Sequence, residues 1–153
     1  MRAGHTCYLG VNVEGALLSL GDGHARQGEG ELCGVAVETA METVLAIELI
    51  KGVATPIPRI ETDTHLMSVG AAKPLEDAYR MSQHDLVTWT AELAGLDLLD
   101  AYQLVSQAGT APAGNVVDPN YTMLAKVEKR YLPEAATYGG VHSRLRALAA
   151  AAG

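Results

Sequence analysis

The stretch LSLGDGHARQGEGELCGVAVE, Leu18 to Glu38, places carboxylates, one histidine and five glycines between two apolar runs. It reads as a polar loop held between two buried strands. Asp22, His24, Gln27, Glu29, Glu31 and Glu38 all lie in it. Glycine lets the backbone take positive φ and come close to a ligand, while flanking strands limit how far the loop side chains can wander. This is how a chemical site is built, and the aliphatic runs around it point to antiparallel β structure.

Two phosphate-binding readings of the loop fail. A dinucleotide fingerprint needs a third glycine three residues after the second, and after Gly21 and Gly23 that place holds Arg26. A P-loop needs Gly-Lys-Ser/Thr entering a helix, whereas Gly30 is followed by Glu31. The acidic residues would repel phosphate and attract a cation or a polar neutral molecule. Asp22 and His24 stand two apart, so in extended chain they leave the same face. Such a pair can ligate a divalent ion, or serve as a base and its orienting partner. Spacing alone equally allows a simple Asp22-Gly23 turn with His24 bonded to backbone.

Working outward, Thr6 to Leu20 reads as two short strands, CYLGVNV and ALLSL, parted by Glu14-Gly15. Glu31 to Glu38 and Thr43 to Lys51 read as further strands, and Ile57 to Ile60 with Thr64 to Val69 as another pair, with Pro56 and Pro58 near an edge. His65 inside that pair is read as an ordinary strand histidine and not as a ligand. After Lys73 the period changes. Leu75, Tyr79, Leu86, Trp89 and Leu93 mark an amphipathic helix over residues 74–94, with Gly95 as its stop and Trp89 in the core. A second helix over 98–108 presents Leu99, Tyr102 and Val105 and ends at Gly109. Thr110 to Asn115 is a loop by composition, Tyr121 to Tyr131 a strand candidate, and Asp118 a turn residue before Pro119. The tail from Val141 to Ala152 is helix-prone, and its Arg144 and Arg146 can dock on an acidic molecule. The fold class is therefore α+β: an antiparallel sheet, or partial β-sandwich, covered by two or three C-terminal helices.

The chain has 153 residues, 48% of them hydrophobic, enough for one domain with a sizeable core. Eighteen acids against eleven bases give a formal charge of −7, which argues against nucleic acid or an anionic membrane as partner. Cys7 and Cys33 are too few for a disulfide framework and sit in apolar runs, so both read as buried thiols. The start of the chain runs straight into a strand-like segment, so a cytoplasmic protein is expected.

The run Val13 to Glu31, VEGALLSLGDGHARQGEGE, continuing through Cys33-Gly34-Val35-Ala36-Val37-Glu38, resembles the signature of the acetamidase/formamidase family. A second run, Gly114-Asn115-Val116-Val117-Asp118-Pro119-Asn120-Tyr121-Thr122, followed by Leu132-Pro133, resembles that family's C-terminal end. The resemblance covers nearly everything from Thr6 to Pro133 and implies hydrolysis of short linear amides to a carboxylic acid and ammonia. Family members are longer and carry the signature in their second half. Residues 1–153 would therefore be one domain corresponding to the C-terminal half of such an enzyme. The other half would pack against it and add acidic or histidine residues to the site.

Amide hydrolysis needs an activated water, a polarised carbonyl and a proton for the departing amine, and a divalent ion meets the first two needs. The resemblance and the residue chemistry together place Asp22, His24 and Glu38 on the metal, Glu31 in proton transfer and Gln27 on the substrate amide. Glu38 could hold its place as ligand or as support, since a carboxylate in so apolar a run needs a cation or donor beside it. Zinc suits Asp with His, and a carboxylate-rich loop could also take calcium or manganese. The expected partners are a small amide and either further copies of the chain or a separate N-terminal half. A reading of a different class is a catalytically inactive or partner-dependent domain that self-associates through an uncovered apolar face.

Overall fold

A strand buried on one face needs side chains alternating between core and surface, and Tyr121–Glu128 supplies them: Met123, Ala125 and Val127 are buried while their neighbours are half-buried. The computed structural model describes residues 1–152 and shows an α+β fold in which this strand pairs along its whole length with His65–Ala72. The ladder runs antiparallel from His65 opposite Glu128 to Ala72 opposite Tyr121. The strands are β1 (Thr6–Tyr8), β2 (His24–Arg26), β3 (Val37–Glu38), β4 (Arg59–Glu61), β5 (His65–Ala72), β6 (Ala113–Asn115) and β7 (Tyr121–Glu128). One five-stranded antiparallel sheet has the order β1-β4-β5-β7-β6, and β2 with β3 forms a separate two-stranded ribbon.

Helices α1 (Leu75–Ala94) and α2 (Leu98–Ala108) fall where periodicity puts them, and α3 (Val141–Ala152) occupies the helix-prone tail. Gly95 ends α1 in the left-handed region, φ 64°, with its N–H on the Ala91 carbonyl. Asp97 caps α2 by accepting from the Leu99 and Asp100 N–H groups. Helix α1 lies across β5 and β7, and α2 packs beside it. The core between them gathers Tyr8, Leu66, Leu86, Trp89, Val105 and Val127. Within it the Arg59 guanidinium lies 4.7 Å from the Trp89 ring centroid and donates to both oxygens of the buried Asp85 at 2.8 and 2.9 Å. Ser68 also donates to Asp85, so this buried charge is paired and hydrogen-bonded. The two arginines of α3 dock by charge as expected, Arg144 on Glu48 at 2.6 Å and Arg146 on Asp63 at 3.3 Å.

Four local expectations are corrected. Residues 9–20 and 43–51 form no strand, and between 31 and 38 only Val37–Glu38 does. β-branched composition becomes a strand only where a neighbour accepts its backbone hydrogen bonds, and Gly15, Ala16 and Leu17 at positive φ break the first run outright. The Thr110–Asn115 loop contributes β6, and Thr110 pairs with Lys126. On α2 the inward positions are Ala101 and Val105, one turn apart, so Leu99 and Tyr102 face outward at 72% and 61% exposure. Cys7 is half-buried and Cys33 exposed, because 31–36 is a surface turn and not a core strand. Among the described residues no helix is long and apolar enough to cross a membrane.

Candidate metal centre

The ribbon of β2 and β3 builds the site. Antiparallel pairing sets His24 directly opposite Glu38, with a bulge before Arg26 meets Val37, and the Thr39 N–H closes the ladder on the Gly23 carbonyl. Directly opposed residues bring their side chains within reach on one face. Asp22, two residues before His24 and held at φ 59°, enters from the ribbon's end. Glu38 Oε2 then lies 2.9 Å and Asp22 Oδ1 3.1 Å from His24 Nε2. One ligand atom from each of the three residues lies within 4.8 Å of the other two. The His24 side chain is only 11% exposed, Glu38 is 54% and Asp22 82% exposed, so the cluster opens outward on the Asp22 side.

The tautomer of His24 follows from its neighbours. Gln27 faces the Gly114 carbonyl at 2.9 Å, and a carbonyl can only accept, so the nitrogen of the Gln27 amide must be there. Its Oε1 is then the atom 2.9 Å from His24 Nδ1, which must carry the proton and donate. That leaves Nε2 with its lone pair aimed among carboxylate oxygens. Nε2 is buried and makes no hydrogen bond. Three electron-rich atoms converging on one point need a cation between them or a proton on Nε2. The hydrogen bond to Gln27 raises the His24 pKa above its ordinary value, burial opposes the rise, and Glu38, Asp22 and Glu31 add to it. One imidazole nitrogen and two carboxylate oxygens are a donor set that fits a divalent ion such as zinc.

Glu31 closes the site from below. A single 3-10 turn at Glu29–Glu31 carries Gly30 at φ 77° and Glu31 itself at φ 47°. A left-handed non-glycine residue persists only where its surroundings over-determine it. Here the Val116 N–H donates to the Gly30 carbonyl at 2.9 Å, and a Cβ on Gly30 would stand 3.2 Å from Val116 Cγ2. Glu31 Oε1 lies 3.9 Å from His24 Nε2, and Oε2 accepts from Asn115 Nδ2 at 2.7 Å.

All five singled-out residues, Asp22, His24, Gln27, Glu31 and Glu38, thus stand around one point. Gln27 uses both ends of its amide within the protein. Asn115 joins them through Glu31, and in the sequence only its place in the Gly114–Thr122 run marks it. Glu29 is exposed, and His65 bonds Thr64 Oγ1 at 2.8 Å in the main sheet. Two clefts lie elsewhere, one around Arg59, His84 and Asp85 and one around His5, Asp63 and Arg146. The convergence of donor atoms, not concavity, marks the centre.

The chain matches the model of the Acetamidase/Formamidase family over residues 1–121. It is similar to three solved structures. An acetamidase from Yersinia enterocolitica is 46% identical, with 71% of this chain and 33% of that one covered at a TM-score of 0.69. An acetamidase from Bacillus halodurans is 34% identical over 86% of this chain and 45% of that one, TM-score 0.81. A predicted acetamidase/formamidase from the thermophile Thermoanaerobacter tengcongensis is 32% identical over 87% and 44%, TM-score 0.81. The chain therefore spans between a third and a half of the length of these relatives. No curated protein matches.

Proposed function

The chain belongs to the acetamidase/formamidase family, and from that premise we propose that it hydrolyses short linear amides, of the acetamide and formamide type, at the centre formed by β2, β3 and the Glu31 turn. It stands as the C-terminal half of such an enzyme. The observation that carries the reading is the buried Nε2 of His24, without a hydrogen bond and faced by two carboxylates. Asp22, His24 and Glu38 hold a divalent ion, with zinc favoured over calcium because calcium takes mainly oxygen ligands. When bound, such an ion polarises a carbonyl and lowers the pKa of water.

The remaining roles belong to the chain. Glu31, 12% exposed and beside His24, accepts the proton released as water adds and returns it to the departing amine. Gln27 accepts the Nδ1–H of His24 while its NH₂ is held by the Gly114 carbonyl, and so keeps Nε2 turned to where the ion would sit. Two unpaired cysteines, one of them exposed, fit the reducing cytoplasm. The acidic charge fits a small neutral substrate better than nucleic acid or membrane.

A second reading is favoured by one observation. Large apolar residues between 9 and 53 stand in water, among them Val44 at 89%, Leu32 at 85%, Leu17 at 77% and Ile47 at 72% exposure. Such a surface is normally covered, here by another copy or by a partner equivalent to the part of the family enzymes that these residues do not span, and the domain alone would then be inactive. Ammonia release from acetamide and formamide, with metal content measured on the same sample, separates the two. Activity lost to a chelator and restored by zinc supports the hydrolase, with His24→Ala expected to lose the metal while keeping the fold. Metal content unchanged in His24→Ala would sink the ligand assignment, and no activity with no metal favours the partner-dependent reading.

A further inference from the structure

Asn115 sits 8% exposed at the end of β6, far from the loop in sequence and against it in space. Its Oδ1 accepts the backbone N–H groups of Val117 and Asp118, both at 2.9 Å. Backbone N–H groups only donate, so the other end of the amide is the NH₂, and the Glu31 Oε2 it meets at 2.7 Å must accept. The amide is locked by its own turn before it reaches Glu31, so the donor is in place without reorganisation. The same turn takes the Gln27 amide on the Gly114 carbonyl and gives the Val116 N–H to Gly30. One short segment thereby grips the loop at three points, Gln27, Gly30 and Glu31.

We infer that Asn115 is a positioning residue for Glu31: its amide spends one carboxylate oxygen in a fixed hydrogen bond and leaves the other, Oε1, aimed at the His24 side of the site. The inference rests on the amidase reading for its kinetic consequence, while the hydrogen bond itself can be tested without it. A charge-assisted bond to a donor this constrained selects one Glu31 rotamer against the others. Without it the carboxylate keeps its chemistry but samples orientations that miss the substrate.

The test is a double-mutant cycle on the full chain. Asn115→Asp sets carboxylate against carboxylate and should lower Tm; Glu31→Gln in the same molecule restores a donor–acceptor pair with its direction reversed and should recover most of that loss. Additive Tm changes would overturn the inference whether or not the protein is active. In metal-loaded protein that releases ammonia, Asn115→Ala should lower kcat about 10- to 100-fold with KM and bound metal unchanged. The recovered Glu31→Gln/Asn115→Asp pair should stay inactive, because the carboxylate is gone. Wild-type kcat in Asn115→Ala would leave a merely structural bond and overturn the inference. A wild-type protein that binds no metal and releases no ammonia instead defeats the amidase reading, and the Tm cycle alone then decides the inference.

Discussion

His24 meets acceptors at both ring nitrogens, and a carbonyl on a distant strand decides which one carries the proton. Gly114 O fixes the Gln27 amide, the amide fixes Nδ1–H, and Nε2 is left facing the Glu38 and Asp22 carboxylates without a hydrogen bond. Gln27→Leu keeps much of the volume and removes this control, so zinc affinity measured by titration calorimetry should fall about 10- to 100-fold. An unchanged affinity would mean that the ribbon alone orients the ring. Asp22, His24, Gln27, Glu31 and Glu38 are candidates from the sequence only through residue chemistry and the family resemblance together, since the spacing of Asp22 and His24 equally allows a simple turn. Glu38 opposite His24, and Asn115 on Glu31, could not be read there, since cross-strand register and an 84-residue separation leave no local trace.

The elements divide by where their hydrogen bonds go. Helices satisfy their backbone internally, so α1 and α2 are found where the period of consecutive residues places them, and α3 where composition makes the tail helix-prone. Strands borrow partners. β5 and β7 find each other, whereas the equally aliphatic 43–51 run forms no ladder. The seating of α1 on β5 turns on Gly70, where a Cβ would come 2.1 Å from the Ala78 carbonyl and 2.8 Å from the Ser82 nitrogen. Neither atom can yield unless the helix moves, so Gly70→Ala should cost about 1–3 kcal/mol in denaturant unfolding. Helix α3 is tied down differently. His142 bridges Thr6 at 2.8 Å and Asp63 at 3.0 Å, and Arg146 joins the same carboxylate. His142 and Arg146 hold the Asp63 pKa below its ordinary value. A depressed carboxyl stabilises the fold above its unfolded pKa, about 3.9, and loses that contribution as pH falls through the lower folded value. Asp63→Asn should therefore melt below wild type at neutral pH, and the gap should close on acidification below about pH 4. A gap that persists there would assign the effect to packing.

At the scale of the whole molecule the apolar segment from 9 to 53 dominates. A surface carrying Leu17, Leu32, Val44 and Ile47 in water should associate, so sedimentation velocity is expected to give a weight-average coefficient that rises with concentration. A monomer at every concentration would remove self-association as the cover for this face. The α+β class, the helices and the neighbouring strands β4 and β5 were legible in the chain, as was the acidic, glycine-rich make-up of the Leu18–Glu38 stretch, because composition and period are carried by neighbouring residues. Tertiary structure alone decided which aliphatic runs became strands, set Glu38 across from His24 and brought the Gly114–Asn115 end of β6 against Gln27 and Glu31. Those contacts join positions far apart in the chain, and only backbone pairing and packing in three dimensions select one partner among the many that the sequence permits.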